Sequence, residues 1–129
     1  MEFLCLICAE TVMEQLPAAE AERTMGDYLE FARSIRASGH YVGGNRLLPR
    51  ETAVTVRVRN GKVATTDGPF AETKEQLGGY FVVEARDLNE AILIASRIPS
   101  ARDGCVEVRP IADDAHTRRV LGLVPPQTP

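Results

Sequence analysis

The chain has 129 residues, 44% of them hydrophobic and 26% charged, enough for one self-sufficient core and far from the charge-rich composition of disordered chains. A formal net charge of -3 offers no broad electropositive surface, so neither nucleic acid nor an anionic membrane is expected as the main partner. Three cysteines, Cys5, Cys8 and Cys105, leave one unpaired in any disulfide scheme, which points to reduced core thiols in a cytoplasmic protein.

The first element is the apolar run 3–9, too short for a membrane span and preceded by Glu2 where an export signal would be basic. It reads as a strand buried on both faces. Pro17 followed by AAEAER suits a helix start, with the proline at the first helical position. Met25, Tyr28, Leu29, Ala32 and Ile35 make one apolar stripe along that helix, and Gly39 stops it at the C′ position. Residues 41–48 form a poorer strand, where Gly43-Gly44 suggests a bulge or a close backbone approach.

TAVTVRVRN alternates Val54, Val56 and Val58 with Thr55, Arg57 and Arg59, so one face is wet. Asn60-Gly61 supplies the positive-φ pair of a type I′ hairpin turn, and KVATT returns the chain. A second doubly apolar strand follows at 78–85, entered through Gly78-Gly79. Asp87 caps the next helix with Glu90 three residues on, and Leu88, Ala91, Ile92, Ala95 and Ile98 form its core stripe before Pro99 closes it. In the last strand, Val106 and Val108 alternate against Cys105, Glu107 and Arg109. Residues 113–129 are set apart as a C-terminal tail, whose VPPQTP end is expected to fray.

Strand, helix, strand, inserted hairpin, strand, helix, strand is the split βαβ plan of ferredoxin-like α+β domains, here spanning residues 1–112. Its central strands are the two doubly apolar runs, yet two helices cover only one sheet face. A second sheet packed on the other face, and hence a homodimer, is the expectation.

Residues 67–81, DGPFAETKEQLGGYF, resemble the DGPF signature of the YCII-related family. The opening EFLCLICAE, the helix GDYLEFARSIRASG, the segment TVRVRNGKVATTDGPF, and RDLNEAILIASRIP with VEVRPI are similar to their counterparts there as well. The resemblance implies a ferredoxin-like dimeric α-β barrel with a pocket near the signature loop, and an association with extracytoplasmic-function sigma factors of bacteria. In the broader family a His-Asp pair with its histidine in the first helix is suspected of catalysis. The matching helix here, ERTMGDYLEF, has no histidine, so that dyad is not carried over.

Asp67-Gly68-Pro69 is turn chemistry in its own right, and at least two of Asp67, Glu72 and Lys74 are expected to border a cavity. Phe70 is read as an anchor pinning the loop to the core. Arg57, on the wet hairpin face beside Arg59, is a candidate to balance an anionic ligand. Asp67, Phe70, Glu72, Lys74 and Arg57 are therefore the candidate ligand-binding residues, and no catalytic residue is assigned. His40 and His116 are read as structural. Cys5 and Cys8 send their side chains to opposite strand faces, so no metal is expected, and no cofactor motif is present in the sequence. Three functions stay open: a small-molecule-binding or regulatory homodimer, an enzyme on a small organic substrate with Asp67 or Glu72 as general base, and a purely structural dimerisation module.

Overall fold

Four antiparallel strands form the main sheet in the order β2-β5-β1-β6: β1 (Glu2–Ala9), β2 (Tyr41–Arg46), β5 (Gln76–Glu84) and β6 (Cys105–Pro110). This computed structural model describes residues 1–11, 13–71 and 73–122. Helices α1 (Ala18–Ala37) and α2 (Leu88–Ser96) fill the two crossovers, while β3 (Val54–Arg59) and β4 (Lys62–Asp67) pair only with each other. The protomer is the expected α+β, ferredoxin-like split βαβ with an inserted hairpin, the protomer fold of dimeric α-β barrels. β1 and β5 are central, as their double apolarity requires.

Alternation divides the residues of β1 and β5 between the two faces. Phe3, Cys5, Ile7 and Val83 point under the helices and are buried, with Phe31 and Ile35 of α1 and Ala91, Ile94 and Ala95 of α2 closing over them. Leu4, Leu6 and Val82 point to the opposite face and are only half-buried. Cys5, sealed in the core, has its thiol pKa pushed up to about 11 by burial.

α1 ends in a Schellman motif: His40 N–H donates to Ile35 O at 2.9 Å and Gly39 N–H to Arg36 O at 3.2 Å, with Gly39 at φ 82°. Pro17 sits one residue earlier than expected, at the N-cap. The stripe expected to be core is also displaced. Phe31, not among the expected residues, is buried with Ile35, while Met25 and Leu29 are exposed. At α2 the Asp87 carboxylate accepts from Glu90 N–H at 2.9 Å, but Glu90 reaches back to Arg86 N–H at 3.0 Å. Its inner face is Ala91, Ile94 and Ala95, so Leu88 and Ile92, expected inside, stand about half exposed.

Asn60 at φ 50° and Gly61 at φ 74° form the expected hairpin turn. The hairpin faces do not follow expectation, because this ribbon projects from the main sheet and packs little against it. Its valine face is open, Val54, Val56 and Val58 being 57%, 60% and 58% exposed, whereas Thr55 and Arg57 on the other face are half-buried. Part of the expected tail is structured. Asp114 accepts from Thr117 N–H at 2.7 Å and caps a short helix, α3 (Ala115–Val120), which carries His116. The proline-rich end expected to fray lies outside the described residues. No helix among the described residues is long and apolar enough to cross a membrane.

Candidate functional site

A cavity of about 710 Å³ opens between α1 and the β2–β5 half of the sheet, within the size range of ligand pockets. Its roof is Met25, Leu29, Ala32 and Arg36, one helical stripe at i, i+4, i+7 and i+11. Four of the five residues expected as core on α1 thus face this cavity: Met25, Tyr28, Leu29 and Ala32. Exposed apolar groups on that stripe are explained by the space they line.

Gly44, Gly78 and Gly79 lie in the floor. A Cβ on Gly44 would lie 2.7 Å from the Phe81 ring and 2.8 Å from Tyr80 O, and one on Gly79 would lie 2.8 Å from Asn45 O. Only glycine lets β2 and β5 approach this closely while Phe81 lies across the gap. Phe81 then organises the aromatic wall. It stacks on Tyr28 with centroids 6.5 Å apart, and meets Phe31 and Tyr41 edge-on at 5.1 and 6.4 Å. The Arg36 guanidinium lies 4.4 Å over the Tyr41 ring.

Polar groups occupy the rim. The Tyr28 hydroxyl and Ser100 Oγ are 2.5 Å apart, with Asp103 also lining the cavity. Burial is the main reason the Tyr28 pKa lies above its ordinary value, and Asp103 adds to the effect, so Tyr28 is a neutral phenol able to donate. Arg46 holds Glu14 at 2.6 Å beside the mouth, and the Glu14 carboxyl is lowered first by its own backbone N–H and then by Arg46. The arrangement suits a flat, largely apolar ligand that accepts a hydrogen bond at one rim and meets a cation at the other.

The signature stretch splits across this geometry. Gln76 through Phe81 form the β5 wall of the cavity, whereas Asp67 and Lys74 are not among the side chains lining it. Asp67 ends β4 and is exposed; Gly68, at φ 94°, donates to Ala53 O at 2.8 Å and accepts from the Thr55 hydroxyl at 2.7 Å. Turn shaping expected of Asp67 is thus supplied by Thr55. Phe70 is 82% exposed and is not the core anchor expected, because the projecting hairpin holds the loop away from the core. The Arg57 guanidinium lies over one side of its ring, 5.8 Å from the centroid. Lys74 is exposed, and Glu72 lies outside the described residues. His40 links the two helices, with Nδ1 2.7 Å from Ser38 Oγ and Nε2 3.3 Å from Glu90.

Tyr28, Arg36, Ser100 and Asp103 were not among the residues expected at a site. Their signal in the sequence is a glycine in each of two strands that approach closely, Gly44 and Gly79, and a helical stripe ending on Arg36. Among the described residues, no three histidine, cysteine or carboxylate groups are placed to hold a metal ion.

The YCII-related domain matches residues 1–114. An uncharacterized protein of Rhizobium meliloti (strain 1021) is 37% identical over 105 residues, covering 80% of this chain and 85% of that protein. Among solved structures, the 5-chloro-2-hydroxyhydroquinone dehydrochlorinase of Burkholderia phenoliruptrix AC1100, in complex with 2,5-dihydroxybenzoquinone, superposes with a TM-score of 0.50. The superposition covers 90% of this chain and 98% of that one at 14% identity, a likeness of fold. With a domain match over nearly its whole length and a relative of this similarity, the chain belongs to the YCII-related family.

Proposed function

We propose that the chain is a small-molecule-binding homodimer whose ligand site is the cavity under α1. The observation that carries the reading is the cavity itself, about 710 Å³, floored in part by Gly44 and Gly79, which leave no room for a Cβ, and walled by Phe81 and Tyr28. A planar organic acid or quinone fits this chemistry, with Tyr28 donating to a ring oxygen and Arg36 meeting the anionic group. The dihydroxybenzoquinone bound by the structural relative makes such rings the first probes to try. Thermal-shift and calorimetric titration with hydroxybenzoates and hydroxyquinones should give a ligand whose binding is lost in Ala32→Phe, which fills the roof of the cavity. Binding that survives Ala32→Phe would place the site elsewhere.

The dimer is supported by the half-buried Leu4, Leu6 and Val82 on the face the helices do not cover. The exposed valines of the hairpin add to that surface, and a two-stranded ribbon gains little stability alone. In this reading the Arg57–Phe70 pair, with Asp67 and Lys74 of the signature turn, is the part of the expected site the hairpin presents toward the partner. Sedimentation at micromolar concentration should give twice the 14.1 kDa chain mass. Val82→Asp should yield a folded monomer, whereas Val83→Asp, placed in the sealed core, should unfold the chain; a wild-type monomer would remove the argument. The sigma-factor link rests on the family resemblance alone and is part of this proposal.

A catalytic reading is favoured by one observation, a carboxylate, Asp103, lining the same cavity as the Tyr28–Ser100 pair. Under it Asp103 replaces Asp67 or Glu72 as the carboxylate base, and turnover of a bound ring would fall in Asp103→Asn with binding retained.

A further inference from the structure

Cys8 and Cys105 are directly opposite each other in the β1–β6 pairing and so share the sheet face away from the helices. Ile111 N–H donates to Glu2 O at 2.9 Å, which makes Glu2 and Ile111 a hydrogen-bonded pair. Antiparallel alternation then puts Leu4/Arg109, Leu6/Glu107 and Cys8/Cys105 in the same class, and Pro110, which has no N–H, in the other. Residues so paired have Cα atoms about 5.5 Å apart, inside the range a disulfide spans. Both thiols are free in the single chain; Cys105 is exposed on the edge strand, away from the central-strand residues Leu4, Leu6 and Val82 that carry the proposed dimer contact, and Cys8 is half-buried beside it. Cys5 is the third thiol, but it is buried on the opposite face and cannot compete.

A neighbouring group governs this pair. Cys105 Sγ–H donates to Glu75 Oε2 at 2.9 Å, and Glu75 is the residue immediately before β5, joining the signature loop to the cavity wall. That bond is the first cause of a Cys105 pKa pushed up to about 11; Cys8 is raised by burial first and then by Glu75 and Glu107. Glu75 therefore keeps the pair protonated and slow to react.

We propose that Cys8 and Cys105 are a cross-strand dithiol that a hydroperoxide closes to an intrachain disulfide, and that closure releases Glu75 at the root of the signature loop. Cys105 loses its proton to water and its sulfur attacks the distal peroxide oxygen. The O–O bond breaks, the alkoxide leaves and takes a proton from water, and Cys105 becomes a sulfenic acid. Cys8 sulfur then displaces the hydroxyl from Cys105, the S–S bond forms, and Cys8's proton leaves with that hydroxyl as water. Two thiols are oxidised, and the peroxide is reduced to an alcohol (water, when it is hydrogen peroxide itself) plus one water. With no proton left on Cys105, Glu75 loses its donor. The inference is independent of what the cavity binds.

The test is titration of the reduced full chain with hydrogen peroxide, followed by thiol counting in denaturant, intact mass and peptide mapping. The expected product has lost two of its three thiols, is about 2 Da lighter, remains a single chain on a non-reducing gel, and yields a Cys8–Cys105 linked peptide. In Cys8→Ser, oxidation should stop at a sulfenic acid on Cys105 that dimedone traps. Glu75→Gln should speed closure at pH 7 by up to about tenfold, the gain in thiolate being partly offset by its weaker nucleophilicity. Cross-linked dimers through Cys105, sulfinic acid without a Cys8–Cys105 link, or a rate unchanged or slowed in Glu75→Gln would each overturn the assignment.

Discussion

Replacement of Gly104 by alanine tests how tightly β6 is seated on β1. Gly104 precedes β6 and donates to Ser100 O at 2.8 Å, and a Cβ there would lie 2.1 Å from Cys8 O, 2.9 Å from Ala9 Cα and 3.1 Å from Ala9 Cβ. The first contact is impossible, and the atom met is backbone of a central strand held on its far side by β5, so it cannot swing away as a side chain would. The start of β6 must lift by about 1 Å. That forfeits about two ladder hydrogen bonds, those of the Cys8–Cys105 pair, at about 1 kcal/mol each, and adds an overpacking cost of about 1–3 kcal/mol. A loss of roughly 3–5 kcal/mol follows, a fall in thermal midpoint of roughly 15 °C for a domain of this size. Urea denaturation should show a lower midpoint with unchanged slope. Gly26→Ala is the control: Gly26 lies inside α1 with nothing within 4 Å of an added Cβ, and alanine should stabilise the helix by about 0.5–1 kcal/mol. A Gly104→Ala midpoint within error of the wild type would refute the close strand approach.

Gly61→Val forces a β-branched residue to a position at φ 74° and should cost about 1–2 kcal/mol of hairpin stability. Because β3 and β4 pair only with each other, the loss should appear as faster amide exchange within residues 54–67 while the main sheet keeps its protection. Stability should also have both an acid and an alkaline limb. Glu90, lowered first by the Arg86 backbone N–H, and Glu14 both lie below the ordinary 4.5, so the stability they contribute is present above about pH 4.5 and is lost as pH falls through their folded values. Cys5 works in the opposite sense: its thiol is raised from 9.0 to about 11, so stability holds below pH 9 and drains as pH climbs toward 11. Glu90→Gln should flatten the acid limb and Cys5→Ala the alkaline one, as read from denaturation midpoints across pH.

Period and punctuation made the architecture legible. β1 and β5 show as doubly apolar runs because strands central to a sheet are apolar on both faces, and Asp87, Gly39 and Asn60-Gly61 mark boundaries through dihedral and capping chemistry that acts locally. Long-range packing was not legible at the same level. Nothing in VTVRVR distinguishes a hairpin whose valines pack on their own sheet from one whose valines stand open. In α1, Phe31 lies outside the stripe that periodicity selects, yet it is the residue at 4% exposure, since the helix turns Phe31 and Ile35 toward the sheet and Met25 and Leu29 toward the cavity. In α2 the same ambiguity left Ile94 out and brought Leu88 and Ile92 in. An apolar stripe wider than the buried face does not say which of its edges is covered.

The site was harder to read for a related reason. Charge in a loop is visible in a sequence, whereas a cavity is a space left by what is absent, and its signals here are two glycine pairs and one alanine in a helix. Gly43-Gly44 suggests a bulge or a close backbone approach and Gly78-Gly79 marks the entry to a strand, each a signal within its own strand. Once β2 pairs with β5, Gly44 lies opposite Phe81 and Gly79 opposite Arg46, so one glycine of each pair lets the strands approach under the cavity. The signature then divides by physical role: residues 67–70 turn the chain out of the hairpin, and residues 76–81 make a wall. The charges that stand out in the sequence lie between these two parts, on the loop whose C-terminal root, Glu75, is held by Cys105. A charge in a loop carries no local pattern that says which surface it meets, whereas the Glu75–Cys105 contact follows from strand pairing.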